Sequence, residues 1–412
     1  MPNHQQTSQT VTAKGLLGAV FFLSIAQTLV GQFVGHGVPL FLRDAGQPGH
    51  IVGLVYIASI PYILKILWAP FIDRFGSTTF GHYRVWILVG QFCAALLFLL
   101  LSFFDPENHP YSLIMTVVFL TTIMATQDAS TSGLMVRGLA EKDRAKGATL
   151  RAAASAISGI LIGAFVIYLL ADRGWQTVVG LMSVLVLFSF FMISFFPLDK
   201  HWKSTNDRTS LSVHFSSLKD HRVRHLLWVK LCVGAGLALT YGLKSIVLID
   251  SGFAVGDAAL ISLVFGSIAG LLAAVLIRPV VDRLGGYVVL SIIAFMIAVY
   301  CTCFGILFQG DLSKTETLIF VLLANGLTFA AFPASRSILL GYCHPSRAAT
   351  DFSAFVTIEG LLLLLFAGIG AALSDLVGFH ILLWLGAAGS FAGGFIALTN
   401  RSDKPQPMAV KS

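Results

Sequence analysis

Apolar residues run along this chain in twelve long blocks, with polar residues collected between them. The blocks fall at roughly 15–42, 50–72, 85–104, 111–136, 148–171 and 174–196. After a polar stretch they resume at 225–249, 257–281, 286–308, 316–340, 350–372 and 377–398. Each holds about 20 residues or more, the length at which a helix rising 1.5 Å per residue crosses the hydrocarbon of a bilayer. The pattern predicts an all-α polytopic membrane protein with twelve transmembrane helices. Two six-helix bundles are expected, at 15–196 and 225–398, joined by a linker over 197–224. Polar tails flank them at 1–14, expected to be disordered, and at 399–412. No short apolar region ending in a small-residue cleavage site follows the first tail, so the first helix is expected to be retained.

Composition agrees: with 56% hydrophobic residues, 11% charged and 33 Phe, a soluble globule would expose most of its apolar surface. The net charge of +7 has a topological cause. With both termini placed in the cytoplasm, 21 of the 27 Lys and Arg fall on the cytoplasmic side and only Arg43, Arg173 and Lys314 on the other; Lys65, Lys230 and Lys244 lie within helices. That asymmetry sets the orientation by the positive-inside rule and leaves no excess to suggest nucleic acid as a partner. The five cysteines are scattered, mostly in apolar runs, and Cys301-x-Cys303 is the one close pair. They suggest neither a disulfide framework nor a metal site. His221 and His225 are four apart but lack supporting Cys, Asp or Glu, so no metal and no cofactor are expected.

The polar hinge between the second and third blocks reads Pro70-Phe71-Ile72-Asp73-Arg74-Phe75-Gly76. It returns as Pro279-Val280-Val281-Asp282-Arg283-Leu284-Gly285, displaced by 209 residues. Asp44-Ala45-Gly46 after the first block and Asp250-Ser251-Gly252 after the seventh are displaced by 206. The chain is therefore read as a tandem duplication. These hinges resemble the loop motif of the major facilitator superfamily, whose parallel halves are related by an axis along the membrane normal. Trp68-Ala69-Pro70 through Asp73-Arg74, with Trp86 and Gln91, resembles its AmpG-like muropeptide permease branch. Chain length and Ala125-Thr126-Gln127-Asp128 are similar to the RhtX/FptX siderophore permeases of that neighbourhood.

Several residues inside the blocks are costly in hydrocarbon. Asp128 and Glu359 each stand about nine residues from the cytoplasmic end of their helices. Either they hold helices together as hydrogen-bonded acids, or they titrate and carry protons. Lys65 stands seven residues from the inner end of the second block, beside Pro61; it would attract an anionic substrate or pair with an acid such as Asp128. Lys244 is closer to the outer surface and Arg336 to the inner, and both are expected to snorkel. Gln27, Gln32 and His36 on the first helix, with Gln32 and His36 sharing a face, are candidate substrate contacts together with the isolated Asn325; Gln91 is similar.

No Walker loop, nucleophile elbow or catalytic cluster is present, so an enzyme is not expected. A signalling protein should carry a sizeable soluble output domain, and the longest non-membrane segment is the linker. The reading is a monomeric inner-membrane secondary transporter in contact with lipid, with an amphipathic anion as substrate. Resemblance to the RhtX/FptX group implies import of a ferric siderophore; resemblance to AmpG implies import of anhydro-muropeptides. The same superfamily resemblance implies gating roles for Asp73, Arg74, Gly76, Asp282, Arg283 and Gly285: Asp73 caps the eleventh helix and Asp282 the fifth, and the arginines pair across a closed inner gate.

Losing one such cap should weaken one state of the cycle by about 1 kcal/mol, a several-fold change in occupancy. Asp73→Asn is therefore expected to slow transport with substrate binding largely kept, as measured by uptake and equilibrium binding on the same preparation. Binding lost in proportion to uptake would count against a gate.

Overall fold

A computed structural model describes residues 13–75, 81–138, 150–151, 153–155, 157–195, 221–310, 313–342 and 348–399. Its elements are helices: α1 (13–44), α2 (49–74), α3 (His82–Leu101), α4 (Pro110–Gly138), α5 (150–173), α6 (Trp175–Ser194), α7 (His221–Asp250), α8 (255–284), α9 (Gly286–Leu307), α10 (Lys314–Tyr342), α11 (348–377) and α12 (379–399). The last two run on from one another and are divided where Gly378 leaves the helical region at φ 79°. Twelve helical spans are thus found among the described residues. Helix α7 starts at His221, four residues before its expected apolar run, because its first turn is polar. Both tails up to residue 12 and from 400, residues 196–220 of the expected linker, and the side chains of His221 and His225 lie outside the described residues.

Large apolar side chains cover the outside. Leu276, Phe188 and Val299 are mostly exposed, an arrangement suited to hydrocarbon and costly in water. The buried core follows the other helix faces, and one cluster (Leu16, Leu23, Ile72, Tyr83, Leu134, Ile193) ties together the ends of α1, α2, α3, α4 and α6.

The duplication is visible in the backbone. Glycines with positive φ come in matched pairs, Gly46 with Gly252, Gly81 with Gly285, and Gly174 with Gly378. Each ends or starts corresponding helices in the two halves, because only a residue without Cβ turns left-handed at little cost. Gly285 thus matches Gly81 in position before the third helix of its half, whereas the sequence motif aligns it with Gly76. The hinge of the first half is five residues longer.

Several helices are irregular where they line the middle of the bundle. Helix α2 breaks at Ser59, before Pro61, and tightens to a 3-10 turn at Lys65–Leu67, before Pro70. Each proline removes a backbone donor and crowds the preceding turn. Wider π turns occupy Phe33–Gly37 of α1, Leu161–Ile167 of α5 and Leu260–Phe265 of α8. The π turn in α1 lies between Gln32 and His36, so the common face expected from regular helix spacing is not kept.

Contacts between the two halves gather at the end of the bundle away from the termini. There Gly53 of α2 faces α11 so closely that a Cβ would lie 2.6 Å from the Gly368 carbonyl oxygen, and Gly256 of α8 sits 3.0 Å, on the same measure, from that of Tyr168. Small residues let the backbones approach. Arg43 at the end of α1 forms a bidentate pair with Asp250 at the end of α7, both bonds 2.6 Å, and reaches Asp375 of α11 at 3.5 Å. This end is closed.

Within the second half, a Cβ on Gly242 of α7 would run into the backbone of Ala367, whereas one on Gly31 meets nothing within 4 Å. Gly242→Ala should destabilise by about 1–3 kcal/mol, seen as a lower thermal midpoint in detergent, and Gly31→Ala should not. Equal midpoints for the two variants would show that α7 and α11 separate without cost.

Candidate functional site

Two charged clusters lie at matching depth, about 9–11 residues from the terminal end of their helices. The first is in the N-terminal half. Asp128 of α4 is 2% exposed, and one carboxylate oxygen accepts from Lys65 of α2 while the other accepts from Arg151 of α5. Arg151 also donates to Ser132 at 2.9 Å. The broken course of α2 brings Lys65 to this point, and Trp68 fixes it by donating from Nε1 to Thr126 of α4 at 3.1 Å. Lys65 also sits over the Tyr62 ring, and Gln27 of α1 donates to the Tyr62 hydroxyl. The side chains of Lys65 and Arg151 remain 31% and 28% exposed, so one acid serves two accessible cations.

The second cluster is in the C-terminal half, where Lys230 of α7 meets Glu359 of α11 at 2.7 Å. The pair lies at the wall of a mostly apolar cavity of about 230 Å³ between α7, α10 and α11, with Phe332, Ser335 and Phe366 among its lining. Gly360, next to Glu359, stands against Ile63 of α2, two residues from Lys65. The two clusters therefore approach one another across the interface.

A third group lies nearer the closed end. His36 Nε2 is 3.4 Å from the Tyr241 hydroxyl, Tyr56 packs edge-on to the Tyr241 ring, and Lys244 lies 4.5 Å over that ring and 3.3 Å from Asn325 Oδ1.

The structure gathers most of the residues singled out from the sequence. Lys65 and Asp128 meet, as one of the two readings of Lys65 required. His36 and Asn325 join the third group, so Asn325 is not isolated. Gln32 is directed at α5, where its Nε2 stands near Gly159. Gln91 belongs elsewhere, donating to Ser189 at 2.8 Å and tying α3 to α6. Lys244 does not snorkel: it is 5% exposed, because Tyr241 and Asn325 enclose it. Arg74, Asp282, Arg283 and Gly285 are exposed at the terminal end. Gly76 and the side chains of Asp73 and Arg336 lie outside the described residues. Cys301 is buried and Cys303 exposed, so they point apart. Among the described residues no group of three His, Cys, Asp or Glu could hold a metal.

Two site residues escaped the sequence reading. Arg151 was grouped with the cytoplasmic loop because it opens an apolar run, and Lys230 was placed in a helix without a partner although Glu359 is its partner. Their position within membrane helices was the available signal.

Comparisons with known proteins accord with this architecture. The sequence model of the Major Facilitator Superfamily matches residues 16–360. A putative transporter AmpG 3 of Rickettsia typhi is 28% identical over 167 residues, 39% of this chain and 39% of its own length. The anhydromuropeptide permease of Escherichia coli K12 is 23% identical over 312 residues, 73% of this chain and 62% of its own length. The matches thus span less than two thirds of these relatives. A crystal structure of a POT family transporter in complex with 5-aminolevulinic acid superposes with a TM-score of 0.71 at 12% identity, covering 95% of this chain and 99% of that one.

Removing the acid from a buried ion pair leaves its cations uncompensated, a loss of about 3–5 kcal/mol for a fully enclosed pair and less here because both cations are partly hydrated. Asp128→Asn should lower the thermal midpoint, and Asp128→Asn combined with Arg151→Gln should recover part of it. A double variant no more stable than the single one would mean that Asp128 does not balance these two charges.

Proposed function

The chain belongs to the Major Facilitator Superfamily, and from that premise we propose that it imports an anionic sugar-peptide of the anhydromuropeptide class across the bacterial inner membrane, by alternating access and coupled to protons. The observation that carries the anionic part is the shared acid: Lys65 and Arg151 divide Asp128 between them and stay partly exposed. One unit of positive charge is left for a carboxylate of the substrate to neutralise. The amphipathic part is served by the apolar cavity beside Lys230 and Glu359.

The named relatives favour this substrate over a ferric siderophore. The sequence features alone put the siderophore first, since aromatic and cationic residues suit either compound, but the relatives reported above are named as AmpG-type and anhydromuropeptide permeases. Both termini are assigned to the cytoplasm from the distribution of Lys and Arg, which makes the closed end periplasmic. The exposure of Arg74, Asp282 and Arg283 at the other end suits a state in which the proposed inner gate is not shut.

Glu359 is the proposed proton carrier. Asp128 touches two cations that hold it ionised, whereas Glu359 has Lys230, and a proton on Glu359 would release that pair. With the inner side open, Glu359 pairs with Lys230 and is ionised; with the outer side open, it accepts a proton and the pair separates. A step that makes and breaks one ion pair links proton movement to helix movement.

In proteoliposomes with an imposed proton gradient, labelled anhydromuropeptide should accumulate and a protonophore should abolish accumulation. Glu359→Gln should abolish accumulation while leaving exchange between preloaded vesicles, and Lys230→Gln with Glu359→Gln controls for the stranded ammonium. Uptake of a labelled ferric siderophore in place of the muropeptide would overturn the substrate, and concentrative uptake by Glu359→Gln would overturn the proton role.

A further inference from the structure

Charges inside the described membrane helices are matched, with one exception. Lys65 and Arg151 both contact Asp128, and Lys230 contacts Glu359. Lys244 meets no carboxylate among the described residues. Its ammonium has the Tyr241 ring and one amide oxygen, that of Asn325. Both are weak substitutes for hydration in a group only 5% exposed. The acids nearest the closed end are already engaged: Asp250 takes both bonds from Arg43, and Asp375 takes the third contact of Arg43 and the backbone N–H of Gly49.

The surroundings of Lys244 are arranged around it. Asn325 donates through Nδ2 to the Val321 carbonyl at 2.9 Å, which turns its Oδ1 toward the lysine. Gly266 of α8 leaves the space in which the Asn325 amide lies; a Cβ there would stand 2.6 Å from Nδ2. Tyr241 is held on its other sides by His36 of α1 and Tyr56 of α2, so residues from both halves reach this point. His36 and Tyr241 are partly exposed, and Lys244 is one turn beyond them.

We propose that Lys244, with His36, Tyr241 and Asn325, is a second anion-binding point that receives a carboxylate of the substrate, separate from the point at Lys65 and Arg151. Fourteen residues of α7 separate Lys230 from Lys244, about 21 Å of helix rise, so no single carboxylate serves both levels. The substrate class this adds is a solute with at least two anionic groups, or one whose single anion is handed from the first level to the second as the halves rock. Because His36 comes from one half and Lys244 from the other, an anion bound there contacts both and favours the state in which they are together. The proposal deepens the anionic-substrate reading above and rests on it.

An unpaired buried cation that serves binding differs from one that serves folding in what its removal does to stability. Lys244→Met relieves the uncompensated charge if the site awaits a ligand, and breaks a structural contact if it does not. The purified full chain in detergent is therefore measured in two ways, by thermal midpoint and by equilibrium binding of anhydromuropeptide and of the same compound with its carboxylates converted to carboxamides. Expected for Lys244→Met are a midpoint equal to or above wild type, binding of the acid form about tenfold weaker, and binding of the amide form unchanged. Lys244→Arg should keep the preference for the acid form. A lowered midpoint, loss of the fold, or equal weakening of both forms makes Lys244 a structural cation and overturns the proposal. If wild type binds neither form, the substrate reading fails, and the anion point is then judged with acetate against chloride at equal ionic strength. An acetate-specific rise in midpoint that Lys244→Met abolishes supports it, and the absence of such a rise overturns it.

Discussion

A carboxylate or ammonium in hydrocarbon must be paired, hydrated or used, and the interior of this protein is organised by that requirement. Asp128 is the centre. It is almost fully enclosed, yet it joins α2 through Lys65, α4 through its own backbone and α5 through Arg151. Three helices that contribute little apolar contact to one another at this level are held by one acid, and the same acid leaves its two cations facing the space between the halves. Stability and recognition depend on the same side chain.

The second half solves the problem differently. Its acid, Glu359, has a single cation partner, and the pair borders an apolar cavity. Asymmetry of this kind between otherwise repeated bundles is what a coupled carrier needs, since two identical sites would respond identically to a proton. The backbone repeat survives in the three pairs of left-handed glycines, while the charged residues have diverged. Connections between helices are constrained by chain geometry, and the residues lining the middle are constrained only by what must bind there.

Closure at one end rests on two unlike interactions. Glycines at 49 and 53 bring α2 against α11 over a small-residue surface, and Arg43 adds a charged clasp with Asp250 and Asp375 at the rim. Close backbone packing has no partially open form, whereas an ion cluster at an aqueous rim exchanges its partners for water at little cost. The first makes the closed state specific and the second keeps it reversible.

How much of this was legible in the sequence follows from the range of each interaction. The twelve spans, the duplication and the positions of helix ends are local: hydropathy over about 20 residues, a glycine that must turn left-handed, and a proline that interrupts α2 before Lys65. The sequence by itself determined these, and it marked Asp128, Glu359, Lys65 and His36 as residues that hydrocarbon would not tolerate without a reason. It did not determine partners. Arg151 lies 23 residues from Asp128, Lys230 lies 129 from Glu359 and Arg43 lies 207 from Asp250, and no local pattern encodes such pairings. Lys244 shows the limit most clearly. Its distance from the membrane surface suggested a side chain reaching for water, but Tyr241 on its own helix and Asn325 of α10 close over it. Depth can be counted along a sequence, whereas enclosure depends on which helices pack beside the residue, and only the tertiary structure decided that.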